Sequence, residues 1–139
     1  MSEGNPVRDL DIKEALMLHV EIMERTGTES QGVRSVDLLE SALNRPRTAR
    51  YYAGADLIAQ AARLAAGISR SQAFVEGNKR TAFVLAVAFL KLNGLTFASD
   101  PLQFAEQLDQ LADPAIGDDE ADERFEAWLR DHVVVRDRR

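Results

Sequence analysis

An all-α fold of about six helices in one domain is what this chain predicts, and three observations carry that prediction. Apolar residues recur at helical spacing in one segment after another. Glycine- and proline-containing breaks of the kind that start and stop helices separate those segments. The length, 139 residues, fits a single domain that buries a core without disulfide staples.

The elements follow in order. Asp11 to Thr26 is the first helix, with Ile12, Ala15, Leu16, Leu18 and Ile22 at helical spacing and Gly27 as its stop. Thr28 to Val33 is polar and reads as a loop. Ser35 is the expected N-cap of a short helix, Val36 to Asn44, and Pro46 stops that helix or follows its end. Arg47 to Gly54, with two tyrosines, reads as a second loop. Ala55 to Ser69 is alanine-rich, with Leu57, Ile58, Leu64 and Ile68 on a broad face, and is expected at the centre of the fold. Ser71 to Gly77 is a loop. Asn78 to Leu92 is apolar almost all round and so predicts a buried helix, stopped by Asn93-Gly94. Leu95-Thr96-Phe97 is a short extended piece. Asp100-Pro101 opens a further helix to about Ala112, Asp113 to Asp118 is a turn, and Asp119 to His132 is a last amphipathic helix carrying Phe125, Trp128 and Leu129. The first residues and the charged tail, Arg136 to Arg139, are expected to fray.

Composition excludes several functions. There is no cysteine, so there are no disulfides and no thiolate metal sites. The N-terminus lacks the basic and apolar regions of a signal peptide. The longest apolar stretch, Ala82 to Leu92, is broken by Lys91 and is too short to cross a bilayer. A cytoplasmic protein with no membrane contact is expected. The net charge of −6 and the pI of about 4.9 speak against a nucleic-acid binder. The cations are nonetheless clustered. Arg45, Arg47 and Arg50 form one group and Arg70, Lys79 and Arg80 another, while acids concentrate between Asp113 and Glu126. A local cationic pocket on an acidic domain suits a small anion.

The densest chemistry lies in Phe74-Val75-Glu76-Gly77-Asn78-Lys79-Arg80-Thr81-Ala82. A helix starting near Asn78 presents free N–H groups and the positive end of its dipole, where phosphates bind. Gly77 lets an anion approach the backbone. Lys79 and Arg80 sit where the dipole disfavours cations, which points to an anionic partner. Glu76 suits a divalent cation, since Mg²⁺ takes one or two carboxylates with phosphate oxygens. A second reading stands beside this one: Glu76 as an N-terminal helix carboxylate, and Lys79 and Arg80 as solvated or salt-bridged side chains.

The run Gln72-Ala73-Phe74-Val75-Glu76-Gly77-Asn78-Lys79-Arg80 resembles the signature of the Fic/Doc superfamily, H-x-F-x-[DE]-[GA]-N-[KG]-R. Lys79 and the following Thr81-Ala82 are similar to its death-on-curing branch. So are Gly32-Val33-Arg34, Leu38 to Leu43, Arg45-Pro46 and Phe89 to Gly94. The resemblance implies a compact all-α Fic-type bundle whose motif loop leads into a buried helix. It implies a Doc-like toxin of a toxin–antitoxin pair, which transfers phosphate or AMP from Mg²⁺–ATP to a protein hydroxyl, with elongation factor Tu as a target of such toxins. By position, it implies Glu76 as the Mg²⁺ ligand, Gly77 and Asn78 as the anion nest, Lys79, Arg80 and Arg70 as phosphate-binding cations, and Phe74 as the anchor of the loop.

The departure is Gln72. The family places its general base there, and that base needs a pKa near the working pH. A glutamine amide only orients or hydrogen-bonds a hydroxyl, so binding without efficient turnover is expected. Natural loss of the base and deliberate inactivation by a one-base codon change both fit; the intact remainder of the motif favours the second. The alternative function is a catalytically dead module that binds nucleotide or an antitoxin-like partner. His19 and His132 read as structural or surface histidines. Arg45, Arg47, Arg50, Tyr51 and Tyr52 form either a target-docking flap or a solvated basic loop. The acidic run reads as a solvated face. An inhibitory [ST]-x-x-x-E-[GN] helix has no copy here, since Ser35 and Glu40 stand one residue too far apart. An antitoxin acting in trans is therefore expected, its disordered segment folding into a groove.

Overall fold

A computed structural model describes residues 6–136; the expected fraying of the first residues and of residues 137–139 falls outside them. The chain is all-α apart from one small ribbon. The order among the described residues is α1 (Ile12–Arg25), α2 (Val36–Leu43), α3 (Arg45–Ala53), α4 (Leu57–Ser71), α5 (Asn78–Leu92), β1 (Leu95–Phe97), α6 (Pro101–Gln110), α7 (Asp118–Arg130) and β2 (Val133–Val135).

Local chemistry sets most of the boundaries. Asp11 and Glu14 form a capping box at the start of α1, satisfying two N–H groups reciprocally. Ser35 caps α2 as expected, Asp56 caps α4 and Asp100 caps α6. Asp56 also holds Arg130 of α7 at 2.8 and 3.1 Å, so one carboxylate fixes the N-terminus of α4 against α7.

One segment corrects the sequence reading. Arg47 to Gly54 is not a loop: it lies within α3, which starts as soon as α2 ends. Pro46 follows the end of α2 and sits in the first turn of α3, where its missing N–H costs nothing. Pro46 and Ala49 bury one helical face, and Gly54 ends α3 in the left-handed conformation at φ 62°. The basic cluster is thereby tied down. Arg50 binds Asp9 at 3.0 Å and Gln60 at 2.8 Å, and Arg47 reaches the same Asp9 at 3.5 Å. Tyr51 and Tyr52 stay exposed.

Helix α4 is the centre. It packs against α2, α3, α5 and α7, and Ala59 to Ser69 is buried except for Arg63. Alanines let four neighbours approach closely. At Gly67 even a methyl group would stand 2.6 Å from Cδ of Arg45, so glycine lets that side chain lie across the helix. Helix α5 packs along α4 and α1, and no residue from Arg80 to Leu90 is exposed. Phe83, Phe97, Phe104, Phe125 and Trp128 form an aromatic cluster joining α5, β1, α6 and α7. The expected extended piece at Leu95–Phe97 pairs antiparallel with Val133–Val135. Arg136 is held as well, its N–H donating to the Gly94 carbonyl and its guanidinium to that of Lys91. No helix among the described residues is long and apolar enough to cross a membrane.

Candidate active site

The motif loop spans the gap between the C-terminus of α4 and the N-terminus of α5, so the two central helices aim opposite dipole ends at it. Helix α4 ends on Gln72 at φ 54°, the one non-glycine residue with positive φ among those described. Gln72 is exposed. Its Nε2 donates to the Ser69 carbonyl at 2.8 Å, and its Oε1 accepts from Nδ2 of Asn78 at 3.4 Å. The amide thus closes the end of α4 and reaches toward the start of α5.

Phe74 anchors the loop, as expected. It is 1% exposed and stacks on the His19 ring with centroids 4.0 Å apart. Asn78 is buried, and its side chain turns back onto Phe74. Oδ1 accepts from the Phe74 N–H and Nδ2 donates to the Phe74 carbonyl, both at 3.0 Å. Asn78 therefore clamps both backbone groups of Phe74, and through them two successive peptides of the loop. Gly77 is the N-cap residue of α5 at φ 79°. A methyl group there would stand 2.3 Å from Sδ of buried Met23. Glycine is required twice over, by backbone sign and by space.

The start of α5 has no side-chain cap. The first N–H of α5 bonded to a carbonyl is that of Thr81, to Gly77. The preceding amides of the turn have no carbonyl partner among the described residues, as at an anion site. Glu76 is exposed beside them, with no hydrogen-bond partner among the described residues. No group of three acidic or histidine side chains that could hold a metal occurs among those residues. A hard cation at Glu76 would accordingly need ligand oxygens to complete its shell, and the chemistry of the site fits one arriving with a phosphate.

The cations divide. Arg80 donates to the hydroxyls of Thr26 and Thr28 at 2.6 and 3.2 Å; no carboxylate of the described residues neutralises it. Lys79 is exposed and pairs with Asp109 of α6. Arg70 is gathered elsewhere: it donates to Asp122 at 2.6 Å and lies 3.7 Å from Asp118, both on α7. Two acids of the Asp113–Glu126 run therefore serve Arg70.

His19 reads as structural, and the structure gives it structural work. It is 1% exposed, with Nδ1 2.8 Å from the Thr81 hydroxyl and Nε2 2.9 Å from that of Ser30. Burial, with Arg80 as a lesser cause, pulls its pKa below the ordinary 6.5. The unfolded chain therefore binds this proton more readily than the folded one. Stability should be full above pH 6.5 and fall as pH drops below it. Thermal unfolding between pH 7.5 and 5.5 checks this, and His19→Gln should flatten the profile. His132 stacks on Trp128 at 4.6 Å and hydrogen-bonds its carbonyl.

Sequence reading gave no role to Arg34. Its guanidinium grips the carbonyls of Ser71 and Gln72 at 3.0 and 2.7 Å. The Gly32-Val33-Arg34 run was the only signal of it.

Over 72 residues the chain is 42% identical to Toxin Doc of Mycolicibacterium smegmatis, an alignment covering 49% of this chain and 54% of that protein. The chain spans about half the length of that curated relative. Residues 9–90 match the family described as Fic/DOC. That match takes in α1 to α4, the motif loop and α5 as far as Leu90, more than half of the chain, and the chain belongs to the Fic/DOC family.

Proposed function

We propose that the chain is a Doc-like toxin that binds Mg²⁺–ATP at the start of α5 and transfers phosphate, or AMP, to a hydroxyl of a protein target such as elongation factor Tu, with turnover held down by Gln72. The observation that carries this reading is the uncapped α5 N-terminus flanked by Glu76 and Arg80, neither of which has an ion-pair partner among the described residues. Glu76 would hold the cation, which when bound would offset phosphate charge. Arg80 and the free amides of the first α5 turn would hold phosphate oxygens. Lys79 would join them by releasing Asp109, an exposed pair that holds it weakly. Arg70 would act from behind, fixing α4 to α7. Gln72 would orient the acceptor hydroxyl without removing its proton. A nucleotide-binding module without turnover is the other reading, favoured by the two hydrogen bonds that already occupy the Gln72 amide.

The same proposal includes a cytoplasmic setting and an antitoxin acting in trans. A groove of about 880 Å³ beside α1, lined by Leu10, Met17, Val20 and Leu92 among others, offers apolar surface that a folding segment could cover. Calorimetry tests the binding half. The chain as it stands should bind Mg²⁺–ATP, and Arg80→Ala should weaken binding by about 10–100-fold, the worth of one charge-assisted contact. Glu76→Gln should remove the Mg²⁺ dependence. No binding at millimolar nucleotide, with the fold intact, would sink the reading.

A further inference from the structure

The motif loop is braced from outside the motif. Val33 forms an antiparallel bridge with Phe74. The Val75 N–H donates to the Gly32 carbonyl at 3.0 Å, and the N–H groups of Arg34 and Ser35 both donate to the Ala73 carbonyl, at 2.7 and 3.0 Å. Backbone pairing of this kind is short, and opens readily unless a side chain helps to hold the two segments together. The arginine adds a grip that the backbone does not supply. Its Nε donates to the Gln72 carbonyl and its Nη2 to the Ser71 carbonyl. Two adjacent carbonyls share one rigid planar fork, a geometry that the point charge of lysine does not reproduce.

Those carbonyls lie where α4 stops and Gln72 turns left-handed. That backbone region is disfavoured for a residue with a Cβ, so residue 72 stays in it only if its surroundings hold it. They also belong to the negative end of α4, where a cation is favourable. Arg34 is thus bound at one carbonyl of the residue whose side chain faces the open site, and at the carbonyl just before it.

We infer that Arg34 is a positioning residue: by gripping the Ser71 and Gln72 carbonyls it sets the direction in which the side chain at position 72 meets the phosphate site. The inference rests on the transfer reading for its purpose, while its geometry stands independently. Phosphate-binding groups lie on the α5 side of the loop. Loss of Arg34 therefore misdirects position 72 while leaving nucleotide binding in place.

The test places Arg34→Ala and Arg34→Lys in the chain as it stands and in the Gln72→His chain. In the first background, Arg34→Ala should speed amide exchange at Val75 about tenfold and leave Leu85, in the middle of α5, unchanged. Arg34→Lys, able to reach one carbonyl, should fall between. In the Gln72→His background, Arg34→Ala should lower kcat for transfer to elongation factor Tu by about 10–100-fold with KM for Mg²⁺–ATP held within about twofold. Unchanged exchange at Val75, equal acceleration at Leu85, or parallel changes in kcat and KM would each overturn the inference. If the Gln72→His chain transfers nothing, the transfer reading fails, and the exchange comparison alone decides the role of Arg34.

Discussion

Replacing Gln72 with histidine is expected to raise transfer from ATP to a protein hydroxyl by about 10²–10⁴-fold, the contribution of a positioned general base. Imidazole accepts a proton near neutral pH, with an unperturbed pKa of about 6.5; the glutamine amide does not. The backbone accepts the change. Gln72 stands at φ 54°, and histidine enters the left-handed region more readily than most residues. There is room as well, since the side chain is exposed. The cost is the Gln72 bond to the Ser69 carbonyl, at about 1 kcal/mol for a hydrogen bond with solvent nearby, much smaller than the expected gain in rate. The measurement is incubation of the Gln72→His chain with elongation factor Tu and ATP labelled at the α or the γ position. Label retained from γ identifies a kinase, and label retained from α identifies AMP transfer. A folded Gln72→His chain that binds Mg²⁺–ATP and transfers neither label would leave the binding module as the standing function.

Phe74→Ala is expected to cost about 3–5 kcal/mol, the range for removing a buried aromatic side chain. That corresponds to a fall in melting temperature of roughly 10–20 °C for a domain of this size. The ring is 1% exposed and stacks on His19, so its loss leaves a cavity and uncovers the imidazole. The effect reaches the site because Asn78 clamps the backbone N–H and carbonyl of this same residue. Nucleotide affinity should fall with stability, whereas Phe74→Leu, which refills most of the volume, should recover part of both. Thermal unfolding and calorimetry on the pair decide it. A loss below about 1 kcal/mol with unchanged affinity would show that the anchor lies elsewhere.

Sequence pattern made some of this plain and concealed the rest, for physical reasons. Helix α5 was legible to its end residues because burial on nearly every side leaves an apolar run from Ala82 to Leu90, followed after Lys91 and Leu92 by the stop Asn93-Gly94. Helix α3 was misread because Pro46 carries two meanings, and only the surrounding fold distinguishes a stop from a first turn. The motif announced Glu76, Gly77 and Arg80 through charge and spacing. The partners of Arg70 were hidden, since Asp122 lies 52 residues away. The same holds for Arg34, whose two acceptors are 37 and 38 residues distant and are backbone atoms. No side-chain pattern encodes a carbonyl. Periodicity reports which face is buried; it does not report which polar group meets which across the fold.

The brace at Gly32–Ser35 also bears on the order in which the chain assembles. The pairing of α4 with α5 joins neighbours in sequence and forms at low loop-closure cost. The contacts that shape the motif loop come from some forty residues upstream and must wait for that closure. The helical hairpin can therefore be complete while residue 72 is still unaligned. A young chain would complete its core before residue 72 is set against the start of α5.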